Sequence, residues 1–571
     1  MDSFGLRIGG EAGWGIATGA DLIAKACIKL GYNVFSTKDY ASQIKGGHNY
    51  HTIRVSQGSV NADVNQVDLL LALDKETLLR HQSAVSATGI VLYDARTIIE
   101  DKDSRYLSIP LAKIEASLKE KNIHNSVFAG AALKVMGISF EVLAELIKQE
   151  FSHKPALQDM LLKSARAGYD SVDAIKDKTL IQNKVITNPD FISGNDAITL
   201  GALKSKITFH AQYPMTPVSG ILHNLAQEAI KNKELVVIQP EDEIAVINMA
   251  LGASYAGARA MVATSGGGFS LMAESLGLAG MTEIPLVVIE GQRPGPATGL
   301  PTKTEQGDLK FVLFAGQGEF PRVVIAPATI EEGYTETKRA FYLAEKYQLP
   351  VIVLIDKHLA ESYKTVDLIE EEKKFEFDYS KRINIITDIK DAQLNPDGMF
   401  KRYAGGNLYR TLPGTPNGIF TCAGDEHDEV GEITEDAETR IAMVQRRMNK
   451  LKLILSELPP PQLMGEKDAE LMVVSWGGNQ GAIVEAINLL KEEGKKVNFL
   501  SLRYLCPFQT VEIKSILSKS EKLLLIENNA TGQLGELIAE KTGIIITDRL
   551  LRYDGNTFTV DEIYDELKKR I

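Results

Sequence analysis

The chain has 571 residues, 44% hydrophobic and 24% charged, with a formal net charge of −12 and three cysteines. That length exceeds one hydrophobic core and predicts three or four domains, while the acidic balance excludes a broad nucleic-acid surface, which needs clustered Lys and Arg. Three scattered thiols (Cys27, Cys422, Cys506) exclude a disulfide framework and an iron–sulfur cluster held by this chain alone, which would take four thiolates. No apolar run reaches about 18 residues, and the N-terminus lacks a charged segment followed by an apolar one. The expectation is a cytoplasmic protein with no membrane segment and no nucleic-acid partner.

Short apolar runs alternate with helical patterns along most of the chain, the signature of α/β domains. Residues 1–180 open with the strand LRIGG, a glycine turn (Gly9, Gly10, Gly13, Gly15) and an amphipathic helix through Leu30; strands follow at 33–36, 67–73 and 90–94, then helical segments around 125–150. The glycine spacing is not GxGxxG with a downstream acid, so it reads as a structural turn and not a dinucleotide site. Lys45 lies in the loop SQIKGGHNYHTIRVS, 42–56, and His48 and His51 have no third ligand nearby, so they read as structural. Residues 181–195 read as a connector.

A second α/β unit spans 196–365, with strands in KITFHAQY, LVVIQ, ARAMVATS, IPLVVIE, RVVIAP and LPVIVLID. Residues 366–465 lose the pattern and read as an interdomain arm, and a third α/β unit occupies 466–571.

Four features in the second unit point to chemistry. In YPMTP, Pro214 and Pro217 stiffen a loop after a strand and present the Thr216 hydroxyl. In QPEDEIA, Glu241, Asp242 and Glu243 precede a helix of small residues, where acids complement the helix dipole or meet a ligand. In TSGGGFS, glycines 266–268 between strand and helix free backbone N–H groups for a ligand or for close packing. In GQRPGPATGLPTKTEQGDL, Arg293 leaves a strand into a long polar loop carrying Thr298, Thr302 and Lys303, and such loops are more often functional than filler.

These motifs, with GDEHDEVGEITED at 424–436 and LRYLCPF near the end, occur in the order found in alpha subunits of 2-oxoacid:ferredoxin oxidoreductases that carry an N-terminal gamma-type domain, and the chain resembles that family over nearly its whole length. The resemblance implies three α/β domains: a gamma-type domain, a thiamine pyrimidine-binding domain and a transketolase C-terminal-like domain. It implies oxidative decarboxylation of a 2-oxoacid with thiamine diphosphate as cofactor, coenzyme A as acyl acceptor and ferredoxin as electron acceptor.

Aligned on the helix ending at 256–258, Glu243 takes the place of the catalytic glutamate that hydrogen-bonds the aminopyrimidine, with Glu241 as fallback. Tyr213, Pro214, Gly266 and Gly267 fall at cofactor-binding positions. Thr216, Arg293, Thr302 and Lys45 fall at substrate positions, Arg293 because its planar fork suits a carboxylate and Thr302 facing substrate or coenzyme A. Met215, Val218 and Gly267 stand where the family more often has isoleucine, serine and proline.

Thiamine enzymes hold the diphosphate through a divalent metal bound by a GDG motif with a later Asn. This chain has no GDG, and IENNA at 526–530 has no such partner upstream. The resemblance therefore implies a beta subunit carrying diphosphate, Mg2+ and a [4Fe–4S] cluster, an (alpha-beta)2 heterotetramer, and no metal on this chain. An acidic ferredoxin is repelled by a chain at −12, which directs its docking to the beta subunit. 2-Oxoglutarate is the favoured substrate; a pyruvate-type or broad-specificity member is the alternative, as is a non-catalytic assembly subunit that retains the fold.

Overall fold

The computed structural model describes residues 3–42, 46–97, 104–175, 189–406, 408–466 and 468–571. Its framework is three β-sheets, each flanked by helices. The first has eight strands in the order Tyr106–Ile109, Val85–Asp94, Val67–Ala72, Ser3–Glu11, His48–Ser56, Asn33–Asp39, Tyr363–Val366 and Asp190–Ser193. Residues 48–56, expected to belong to a loop, form the strand that pairs antiparallel with both Ser3–Glu11 and Asn33–Asp39.

The last two strands come from elsewhere in the chain. Part of the expected connector, Asp190–Ser193, is an edge strand, and Tyr363–Val366 lies between it and Asn33–Asp39. The sequence carries little periodicity at either place. What stabilises these short strands is the ladder offered by the N-terminal sheet, which fastens the N-terminal and middle units together.

The middle sheet runs Tyr504–Cys506, Val323–Ile325, Pro350–Asp356, Leu286–Gln292, Ala260–Thr264, Phe209–Ala211, Val236–Ile238. All its neighbours are parallel except the first strand, which the C-terminal unit contributes antiparallel. Its strands read as continuous apolar runs because helices cover both faces. The third sheet runs Gln462–Gly465, Val497–Ser501, Leu471–Ser475, Leu523–Glu527, Asp548–Leu551. Arg54 of the first sheet donates to Glu485 on helix Gln480–Glu492 at 2.8 Å, with both side chains 2% exposed.

The arm is mostly irregular up to helix Ala437–Leu455 and is held by charge. Glu283, buried at the end of helix Gly266–Thr282, meets Arg446 at 3.0 Å and Lys450 at 2.5 Å, and Arg402 donates to its carbonyl at 3.2 Å. Burial opposes ionisation of Glu283, but the surrounding cations, Lys450 foremost, hold its carboxyl far below the usual range, and burial pushes Lys450 down to about 8. Because the folded pKa of Glu283 is depressed, its contribution is present above the unfolded value and fades as pH falls below it.

Removing one partner from such a cluster leaves buried cations uncompensated. Glu283→Gln is therefore expected to lower unfolding free energy by about 3–5 kcal/mol, read as a drop in the denaturation midpoint at pH 7. An unchanged midpoint would count against the charge network as the arm's anchor.

Candidate active site

Parallel strands end together at one edge of the middle sheet, and in open α/β sheets ligands bind beyond those carboxyl ends. Phe209–Ala211 runs out into the YPMTP loop, Ala260–Thr264 into the glycine turn, and Leu286–Gln292 into Arg293. In-register pairing of Thr264 with Glu290 and of Val262 with Ala211 brings these three exits side by side.

Glu243 is the first residue of helix Glu243–Tyr255, whose cap is the Asp242 carboxylate accepting from Ala245 N–H at 2.9 Å. Capping is thus the task of Asp242, and Glu243 turns inward. It is 4% exposed, whereas Glu241 is exposed. Its Oε1 is buried with no hydrogen-bond partner, as is the Oγ of Ser265 at the head of the glycine turn.

Gly268 makes room for the carboxylate: a Cβ there would lie 2.4 Å from Glu243 Oε1 and 2.1 Å from Thr264 Oγ1. Gly266 packs on Asp308 and Gly267 is exposed, so the glycine against the carboxylate is the third of the run. Strand-to-helix spacing shows where such a turn lies but not which glycine faces the acid. Burial raises the Glu243 pKa, with Asp242 adding to it and Arg293 opposing.

Arg293 Nη1 donates to the Thr216 carbonyl at 3.1 Å and Nη2 lies 3.3 Å from the Met215 sulfur. Among the described residues its guanidinium has no ion pair within 4.0 Å, although the carboxyls of Asp308, Glu243 and Glu290 act on it electrostatically. The Thr216 side chain lies near the hydroxyl of Tyr40, a residue of the N-terminal unit that donates to Glu361 at 2.9 Å. Nothing in the local sequence marks Tyr40; its role comes from the sheet that carries the N-terminal unit across. Tyr213 is 39% exposed and Pro214 is also exposed, on the outer rim of this loop.

Thr302 and Lys303 line a separate cavity of about 310 Å³ where the three units meet, together with Arg7, Lys38, Lys357 and Arg552. Lys303 reaches across it to Asp39 at 2.5 Å. Lys45 lies outside the described residues. His48 is engaged with His81, their Nε2 atoms 2.8 Å apart.

The polar loop is pinned by Gln306, which is 1% exposed. Its amide donates to the Trp476 carbonyl at 2.9 Å, while its oxygen accepts from Asn479 at 2.9 Å and from Asn528 N–H at 3.0 Å. Asn529 donates to its backbone carbonyl at 3.1 Å. The asparagines of IENNA therefore clasp this loop.

An unpartnered carboxyl beside a glycine turn, its proton affinity raised by burial, suits a hydrogen bond to a ring nitrogen, as thiamine diphosphate requires. Comparison with known proteins agrees. Residues 200–446 match the model "Pyruvate flavodoxin/ferredoxin oxidoreductase, thiamine diP-bdg", residues 5–171 "Pyruvate ferredoxin/flavodoxin oxidoreductase" and residues 469–563 "Pyruvate:ferredoxin oxidoreductase core domain II".

The chain is similar to 2-oxoacid:ferredoxin oxidoreductase 1, subunit alpha, of Sulfurisphaera tokodaii, at 31% identity over 99% of this chain and 97% of the relative. It is also similar to the 2-oxoglutarate oxidoreductase subunit KorA of Mycobacterium tuberculosis, at 28% identity over 99% and 91%. Its fold matches the 2-oxoglutarate:ferredoxin oxidoreductase of Magnetococcus marinus, solved with 2-oxoglutarate, coenzyme A and succinyl-CoA bound, at a TM-score of 0.90 and 29% identity with both chains fully covered. With relatives at 31% identity matched over nearly their whole length, the chain belongs to the 2-oxoacid:ferredoxin oxidoreductases, as an alpha subunit.

Proposed function

We propose that this chain forms one wall of a two-subunit site that oxidatively decarboxylates 2-oxoglutarate to the acyl-CoA and passes the electrons to ferredoxin through its beta partner. The observation that carries this reading is the buried Glu243 carboxyl, whose Oε1 has no hydrogen-bond partner, near a guanidinium that makes no ion pair among the described residues. Bound thiamine diphosphate supplies the nucleophilic carbon and the electron sink for decarboxylation.

The chain's own residues do the rest. Glu243 holds a proton against the pyrimidine nitrogen, Arg293 offers N–H groups to the 2-oxoacid carboxylate, and Thr216 hydrogen-bonds the same substrate. Tyr213, Pro214, Gly266 and Gly267 shape the cofactor's edge of the pocket. The preference for 2-oxoglutarate rests on the full-length fold match to an enzyme solved with that substrate. Three free thiols suit a reducing cytoplasm.

The beta partner covers the apolar surface around the site and holds diphosphate, Mg2+ and the [4Fe–4S] cluster, two copies of each chain making the heterotetramer. Helix Glu243–Tyr255 is apolar on every side, and Ile244, Met249 and Leu271 are 43–48% exposed beside the pocket. A helix of that composition needs cover on both faces. Ferredoxin docks on the beta subunit, away from the acidic charge of this chain.

Coenzyme A reaches the site through the three-unit cavity, where Lys38, Lys303 and Arg7 face its phosphates and Thr302 lines the wall. Lys45, which matches a lysine of the family's gamma-type domain, is assigned to substrate binding on that resemblance.

Three outcomes are expected. In the reconstituted complex, Glu243→Gln lowers 2-oxoglutarate- and coenzyme A-dependent viologen reduction by about 10²–10⁴-fold, while pyruvate and branched 2-oxoacids turn over less well than 2-oxoglutarate in the unmodified complex; full activity in the variant would sink the assignment. Met249→Glu with Leu271→Glu leaves a folded alpha chain that no longer co-elutes with the beta subunit. Lys38→Met with Lys303→Met raises KM for coenzyme A about tenfold or more, as expected for lost charge-assisted hydrogen bonds, with KM for the 2-oxoacid unchanged.

A further inference from the structure

Beneath the glycine turn lie two carboxyl groups that the reading above does not use. Glu290, on strand Leu286–Gln292, is 0% exposed, and among the described residues no N–H or hydroxyl reaches either of its oxygens. Its neighbour is the carboxyl of Asp308, within hydrogen-bonding reach.

Asp308 is itself fixed. Its N–H donates to the Gln292 side-chain oxygen at 3.1 Å, and its Oδ2 sits where a Cβ on Gly266 would come within 2.4 Å. The absence of a side chain at Gly266 is what admits this carboxyl under the turn. Two carboxylates in contact, both out of water, cannot both ionise, and a proton between them is the arrangement that makes the contact favourable.

We propose that Glu290 and Asp308 share one proton under the glycine turn and act as positioning residues that set how much of the Arg293 charge is offered to an incoming 2-oxoacid. The proposal rests on the reading of Arg293 as the carboxylate receptor. With one proton the pair carries a single negative charge, and Arg293 is the cation that faces it. With two protons the pair is neutral and the guanidinium is compensated less.

The other charged or titratable groups facing this assembly are Glu243 from the helix that begins with it, Glu305 from the polar loop and Tyr40 from the N-terminal unit. Burial pushes Glu290 well above the usual carboxyl range, with Asp308 adding to the shift. Burial also raises Asp308, to about 6, against the opposing pull of Glu290's hydrogen bond and of Arg293. Asp308 is thus ionised above about pH 6, so the pair competes for Arg293 there and stops competing as pH falls through that value.

The test is KM for 2-oxoglutarate from pH 5 to 8 in the assembled complex, with KM for coenzyme A measured alongside. In the unmodified complex the 2-oxoglutarate KM is expected to fall about three- to tenfold as pH drops through 6, and the coenzyme A KM is not expected to follow. Glu290→Leu, which withdraws the hydrogen bond that holds Asp308 down, moves this limb to higher pH. Asp308→Asn removes it and gives the low KM throughout.

Either variant alone decides, because a merely structural pair would change stability and leave the limb in place. A flat profile in the unmodified complex, or a limb that neither variant moves, overturns the proposal. Arg293→Met separates the two levels of inference. If it raises the 2-oxoglutarate KM while the limb fails to respond to Glu290→Leu or Asp308→Asn, only the carboxyl pair is refuted; if it leaves KM unchanged, the reading of Arg293 falls and the pair's role with it.

Discussion

The site depends on a single buried amide. Gln306 makes three side-chain hydrogen bonds to backbone and side chains of the C-terminal unit, and Asn529 secures its carbonyl as well. The loop it anchors starts at Arg293 and ends at Asp308, so one clasp fixes the Arg293 guanidinium, the Thr302 wall of the cavity and the buried Asp308 relative to a different sheet. Buried amide contacts of this kind are costly when half satisfied and specific when complete. That makes the loop a rigid part of the pocket despite its lack of regular structure.

The N-terminal unit is fastened by comparable logic. Its sheet takes in strands from either end of the middle unit, Asp190–Ser193 and Tyr363–Val366, and the buried Arg54–Glu485 pair ties it to the C-terminal unit. Tyr40 and Asp39 are thereby brought to the Thr216 hydroxyl and to Lys303. The N-terminal unit thereby lines the three-unit cavity with Arg7, Lys38 and Asp39.

Electrostatics inside the pocket follow from water exclusion. One guanidinium lies among the carboxyls of Glu243, Glu290 and Asp308, and burial pushes all three toward their protonated forms. Carboxyls that lean toward protonation keep negative charge from accumulating around that guanidinium. The glycine run makes this possible sterically, since a side chain at Gly266 would strike Asp308 and one at Gly268 would strike Glu243.

Sequence alone determined the α/β class, the strands of the middle sheet and the family, because parallel buried strands are continuous apolar runs and the site loops sit at their ends in a fixed order. It named Glu243 with Glu241 as fallback, and only the fold shows that Glu243 turns inward beside the capping Asp242 while Glu241 is exposed. What it did not show were contacts made at long sequence separation: the strand at Asp190–Ser193 inside an apparent connector, the approach of Tyr40 to Thr216, the clasp of Gln306 by IENNA, and Asp308 beneath Gly266. Each joins residues whose local patterns are ordinary, and each exists because another sheet supplies the missing hydrogen-bond partner or the missing wall. Local pattern fixes which residues a strand or turn presents; only packing of the three sheets decides what those residues meet.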